Sequence, residues 1–261
     1  MSNPLKLQAS RFWPSLKRLY AGAPSIAMCR VPELEFAALL PLDGKTLDHC
    51  CGDGIFASLA WPQGRFTAGC DIDGRAVEQC RKRGRHESVE ECDAAKGLPY
   101  ADATFDLVFN NSALEHIPDV DAALREIARV TKPGGTFAFN VLNHRYFEWW
   151  PGDEASRTGY REWQPFFHAL TREEWAERLR NAGFSVESVR GYFVRGSAQE
   201  LALLDCEFSG LALRQRPSEL VTKFRRMGRL KKWLWWRRLG NFAWTAEDDA
   251  GAGYFITAKR L

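Results

Sequence analysis

The chain has 261 residues, 45% of them apolar and 26% charged, with a net charge of +3. That length suffices for one large α/β core, and no run of roughly 18 apolar residues is present to span a bilayer. Lys6, Arg11, Lys17 and Arg18 interrupt the apolar residues of the first twenty positions, which argues against a secretion signal.

Residues 1–25 read as an irregular arm with one short helical stretch, broken by Pro14 and Pro24. From Val31-Pro32 a helix is expected, with Pro32 in its first turn, Leu34, Ala37, Ala38 and Leu40 as its buried face, and Pro41 ending it. Thr46–His49 reads as the first strand, followed by a Cys50-Cys51-Gly52-Asp53-Gly54 turn and a helix over Ile55–Trp61. Arg65–Cys70 gives a second strand, Arg75–Arg83 a helix stopped by Gly84, and Ser88–Cys92 a third strand. Phe105–Asn110 is the fourth strand. Val120, Leu124, Ile127 and Ala128 keep helical spacing up to Lys132-Pro133-Gly134-Gly135, and Thr136–Leu142 is the fifth strand. Asn143–Leu170 is a long aromatic connection, and Thr171 to Glu174 is a capping box opening a helix that ends near Gly183. Phe184–Val189 and Gly253–Ala258 close the pattern. Strands alternating with helices imply an α/β fold: a doubly wound, mostly parallel sheet of seven strands, with a helical insertion before the last. The expected domains are an arm and helix at 1–44, a core at 45–194 and 246–261, and a basic, Trp-rich insertion at 195–245.

Seven cysteines, an odd number with Cys50 and Cys51 adjacent, fit reduced thiols in a cytoplasmic protein. No Cys-x-x-Cys or His-x-His spacing suggests a metal. Ligands of open α/β sheets bind beyond the carboxyl ends of the strands, and there the sequence places Asp48 with Gly52 and Gly54, then Asp71, Asp93 and Asn110. An acid at such an end also serves simply to cap a turn, but three acids and Asn110 in this order favour a site. Asp71, at the end of the second strand, is placed to accept hydrogen bonds from two ribose hydroxyls. The dinucleotide fingerprint fails, because Cys50, Gly52 and Ile55 stand where three glycines are needed, and no Gly-Lys-Ser/Thr follows. A loop with acids and no base suits a sulfonium better than a polyphosphate.

The ordered pieces Leu47 to Gly54, Gly69-Cys70-Asp71-Ile72-Asp73, Cys92-Asp93-Ala94, Leu98-Pro99-Tyr100, Phe105 to Val108, Ala113 to Ile117 and Lys132 to Gly135 resemble the class I S-adenosylmethionine-dependent methyltransferases, in particular those acting on small molecules and lipid quinones. The resemblance covers about residues 45–142. It implies that Asp48, Cys50, Gly52 and Gly54 cradle the methionine part and that Asp71 and Ile72 meet the ribose side. Asp93 and Ala94 would hold the adenine, and Asn110 would lie below the methyl group. Arg30 would pair with the methionine carboxylate or else be a surface charge. Cys50 departs from the family's glycine and His49 from its aliphatic residue.

Methyl transfer needs alignment and exclusion of water, and a base only where the acceptor must lose a proton. His116 and His144 are the candidate bases, with His168 behind them. Tyr146, Trp149, Trp150, Tyr160 and Trp163 line the expected acceptor pocket, or else form a peripheral apolar cap. Eight of the 36 basic residues fall between Leu220 and Ala246, where no acid occurs. The segment 223–238 suits packing on the domain, an anionic membrane surface, or nucleic acid. The reading is a methyltransferase acting on an oxygen or nitrogen of a small or lipid-linked molecule. The alternatives are an RNA or protein methyltransferase and a non-catalytic cofactor-binding module.

Overall fold

A computed structural model describes residues 4–214 and 228–261, with the backbone alone within 207–214. The strands are β1 (Thr46–His49), β2 (Phe66–Asp71), β3 (His86–Glu91), β4 (Phe105–Asn111), β5 (Thr131–Leu142), β6 (Phe184–Tyr192) and β7 (Gly253–Arg260). They form one mostly parallel sheet in the order β3-β2-β1-β4-β5-β7-β6. From β3 to β5 every neighbouring pair is parallel. The register sets Asp48 beside Gly69, His49 beside Asn110, and Asp71 beside Glu91. The carboxyl ends of four strands therefore finish at one level.

The helices are α1 (Trp13–Leu19), α2 (Pro24–Ala37), α3 (Ile55–Ala60), α4 (Gly74–Arg83), α5 (Val120–Val130), α6 (His144–Glu148), α7 (Glu154–Trp163), α8 (Arg172–Asn181), α9 (Arg195–Arg214) and α10 (Arg229–Gly240). Local chemistry explains several of their ends. Asp73 caps α4 by accepting from Arg75 N at 2.9 Å, and Gly84 closes it in the left-handed conformation. Asp119 caps α5 through Ala122 N, and the expected capping box of Thr171 and Glu174 opens α8.

Two compact units are present. One comprises Phe36–Asn143, Phe167–Arg190 and Tyr254–Leu261, and contains nearly all of the sheet. In its core Leu47, Val108, Phe137 and Phe139 meet Ile127 of α5 and Trp175 of α8, all fully buried. The other comprises Met1–Glu35, His144–Phe166 and Gly191–Gly253. Its ends are stitched together: Leu7 N donates to Phe242 O at 2.9 Å, Trp244 N to Leu5 O at 2.8 Å, and Lys6 bridges Ala243.

Three local expectations are corrected. The helix expected from Val31 starts at Pro24 and carries Pro32 inside it. The first-turn rule applies to Pro24, and burial of Ala27, Met28, Val31 and Leu34 along one stripe offsets the hydrogen bond that Pro32 cannot make. Pro14 likewise sits in the first turn of α1 and breaks nothing. The aromatic connection is not irregular: it folds into α6 and α7, the latter capped by Asp153 accepting from Ser156 N at 2.8 Å. Part of the basic segment, residues 223–227, lies outside the described residues.

Candidate functional site

Beyond β1 the chain turns through three left-handed residues, Cys50 (φ 58), Gly52 (φ 54) and Gly54 (φ 75). Gly54 has no alternative, since a Cβ there would stand 2.9 Å from Cys80 Sγ. Gly52 differs: a Cβ there would meet nothing within 4 Å, so open ground lies over the turn. Asp71 ties this turn to the end of β2. Its Oδ2 accepts from Gly52 N at 2.8 Å and its Oδ1 from Asp73 N at 2.9 Å, while the residue stays partly accessible. Beside it Ile72 is 67% exposed, an aliphatic face offered to solvent at a strand end. Asp93 accepts from Ala95 N and pairs with Lys96, whose ammonium holds its carboxyl below the usual range, and Ala94 is buried next to it. A carboxylate with spare lone pairs, an exposed apolar side chain and an uncovered glycine together fit the nucleoside of S-adenosylmethionine.

The thiol of Cys50 sits close to both His49 and the Asp71 carboxylate. It lies 3.5 Å from His49 Nδ1 and packs partly against the core of the sheet. Burial first, then the Asp71 carboxylate, push it up, so it stays protonated.

The two residues before the turn face opposite sides of the sheet. Asp48 Oδ2 lies 2.8 Å from His86 Nε2, both residues being buried. Burial pulls the His86 imidazole down, but the hydrogen bonds it donates to Asp48 and Cys80 outweigh it and hold the value up to about 9. His49 is fully buried without a charged partner, and burial lowers it to about 4. Asn110 fixes its tautomer. The Asn110 amide must present Nδ2 to the His49 carbonyl at 3.1 Å, so the same nitrogen donates to Nδ1 at 2.9 Å and the ring proton sits on Nε2. His49 Nε2 and Asn110 Oδ1 are buried without a hydrogen-bond partner among the described residues.

His116 closes a 3-10 turn, Leu114–His116, after β4, and is half-buried. His168 is anchored, its Nε2 lying 3.0 Å from Ile117 O and 3.1 Å from Pro118 O. The remaining predicted residues belong to the other unit. There His144 starts α6, with its Nε2 3.9 Å from Glu148, and Arg30 pairs with the buried Glu33, which keeps its guanidinium charged. Tyr146, Trp150 and Tyr160 form one aromatic cluster with Phe147 and Phe166, the Trp150 and Tyr160 rings 4.9 Å apart. Trp163 stands edge-on to Tyr160 at 5.6 Å, and Trp149 is half-buried at the end of α6. Tyr160 Oη donates to Asp205, which the sequence did not single out. Nor did it single out His86, whose one available signal was a histidine at the start of a strand otherwise rich in Glu.

Residues 47–139 match the model of a methyltransferase domain family. The chain is 32% identical over 161 residues to 27-O-demethylrifamycin SV methyltransferase of Amycolatopsis mediterranei, covering 58% of each chain. It is 28% identical over 174 residues to the ubiquinone biosynthesis O-methyltransferase of a Neisseria meningitidis strain, covering 62% of this chain and 72% of that one. Other curated methyltransferases are matched over 36 to 57% of their own length. Among solved structures, a SAM-dependent methyltransferase from Thermotoga maritima superposes with a TM-score of 0.61 at 19% identity, over 96% of this chain and 97% of that one, which is a likeness of fold.

Proposed function

Because the chain carries a class I S-adenosylmethionine-dependent methyltransferase domain, we propose that it methylates an oxygen or nitrogen of a small or lipid-linked molecule. The observation that carries this reading is Asp71, a partly accessible carboxylate fixed by two backbone N–H groups beside the uncovered Gly52. The bound donor supplies a methyl group on a positive sulfur, ready for in-line displacement. In this reading Asp71 and Ile72 hold the ribose side, Asp93 and Ala94 hold the adenine, and Asp48, Cys50, Gly52 and Gly54 shape the methionine end. Asn110 sits beneath the methyl group, and His116 takes the acceptor's proton. The cluster of Tyr146, Trp150 and Tyr160, with Trp149 and Trp163 beside it, favours an apolar or aromatic acceptor, as does the similarity to enzymes of rifamycin and ubiquinone methylation.

A lipid-linked acceptor has support from α10. Leu230, Trp233 and Leu234, at the i, i+3, i+4 spacing of one face, are 70%, 54% and 50% exposed, among the exposed Arg229, Lys231 and Arg237. Apolar anchors within a cationic rim suit an anionic bilayer surface. The deciding experiment incubates the protein with methyl-labelled donor and a metabolite and lipid extract, then identifies the labelled product by mass spectrometry. Label in RNA or protein alone would replace the small-molecule reading. Donor binding without any labelled product would favour a non-catalytic module.

A further inference from the structure

His86 reaches Asp48 across an intervening strand. Phe66 of β2 is the register partner of His86 in β3, and Gly69 of β2 is that of Asp48 in β1. The imidazole stacks on Phe66, with ring centroids 5.4 Å apart, and fills the room that Gly69 leaves. A Cβ on Gly69 would stand 2.9 Å from His86 Cδ2. At the far end Nε2 meets Asp48 Oδ2 at 2.8 Å, and Nδ1 meets Cys80 Sγ of α4 at 3.2 Å. Asp48 Oδ1 makes no hydrogen bond among the described residues. The Asp48 side chain is 6% exposed and that of His86 not at all, so the carboxylate depends on this partner for its counter-charge. Two residues beyond Asp48 the chain enters the left-handed turn at Cys50.

We propose that His86 is a positioning residue for the methyl donor: through Asp48 it fixes the foot of the glycine turn, reaching across the gap that Gly69 leaves in β2. The proposal rests on the donor site assigned above. The groups facing the imidazole are Asp48 from β1, Cys80 from α4, and Cys51 from the turn, whose sulfur borders the same Gly69 gap at 3.2 Å from the Cβ position. Without His86 the Asp48 carboxylate would be left buried with no counter-charge, which favours rotating it toward water, and the turn built on it would lose its fixed entry direction.

The test is calorimetry of S-adenosylhomocysteine binding to the full chain between pH 6 and pH 10, for the parent, His86→Ala, His86→Gln and Asp71→Ala. At pH 7 His86→Ala is expected to bind at least tenfold more weakly than the parent. His86→Gln, whose amide can donate to Asp48 but cannot titrate, recovers most of that loss. The ratio of parent to His86→Gln affinity, in which titration of the ligand's own amino group cancels, stays several-fold above one up to pH 8 and falls toward one beyond pH 9. A ratio flat across the whole range overturns the proposal even if His86→Ala fails to fold. A folded His86→Ala with a lower melting temperature but an affinity within twofold of the parent also overturns it, because the histidine would then be structural only. If Asp71→Ala binds as tightly as the parent, the donor site itself is misassigned and the proposal goes with it.

Discussion

Cys50 offers a direct measurement of what the departure from glycine costs. A side chain held at φ 58 carries a left-handed penalty of about 1–2 kcal/mol that glycine escapes. Against this, glycine gives the unfolded chain an entropy advantage of about 0.4–1 kcal/mol over alanine. Comparing Cys50→Gly with Cys50→Ala removes the thiol from both sides, leaving a net gain for glycine of about 1 kcal/mol. For a chain of this size that corresponds to a melting point roughly 2–4 °C higher, measurable by scanning calorimetry alongside denaturant midpoints. Because the sulfur packs beside His49 and partly against the core of the sheet, S-adenosylhomocysteine affinity should stay within about threefold of the parent. If Cys50→Gly were less stable than Cys50→Ala, the strain argument would fail. A tenfold tightening on Cys50→Gly would mean that the thiol does crowd the donor.

Two histidines give stability opposite pH limits. His86, near 9 in the fold against 6.5 unfolded, contributes roughly 3 kcal/mol that is complete below pH 6.5 and lost as pH rises through 9. His49, lowered to about 4, contributes a similar amount that is complete above pH 6.5 and lost as pH falls toward 4. His86→Gln should therefore flatten the alkaline limb of denaturant midpoints against pH and leave the acid limb unchanged. Trp175→Ala, which empties a fully buried site beside Phe139, should cost about 3–5 kcal/mol in urea unfolding. Thr171→Ala, which removes the α8 cap, should cost about 1 kcal/mol in the same assay. The double variant Leu230→Ser and Trp233→Ser should leave stability within about 0.5 kcal/mol. It should also abolish flotation with anionic liposomes, and retained flotation would refute the reading of α10.

What the sequence made legible followed from local rules. The Thr46–His49 strand, the glycine stop after α4 and the Thr171 capping box each depend on neighbours within a few residues, and each stands where the pattern placed it. The prolines were harder, because Pro14, Pro24 and Pro32 carry the same local signal: the first two are tolerated as first-turn residues, and only burial of the surrounding stripe lets a helix keep Pro32 inside it. Within the site, the acids at strand ends were visible because β–α alternation fixes where strands finish. His86 was not, because its role depends on three strands lying side by side and on a glycine in the middle one. Asp205 escaped for a similar reason: its partner Tyr160 is 45 residues away, on another helix.

The stitching of residues 5–7 to 242–245 bears on the order of events during synthesis. Strands β1 to β5 lie within 46–142, so this part of the sheet is synthesised before α8 and β7, whose Trp175, Tyr254 and Ile256 complete its core. The other unit draws on Met1–Glu35, His144–Phe166 and Gly191–Gly253, and the bonds of Leu5 and Leu7 wait for partners some 240 positions later. Its amino-terminal segment must therefore stay unsatisfied through most of translation, with the apolar residues Leu7, Phe12, Trp13 and Leu16 uncovered. A nascent chain stalled before residue 242 would be the form most in need of a chaperone.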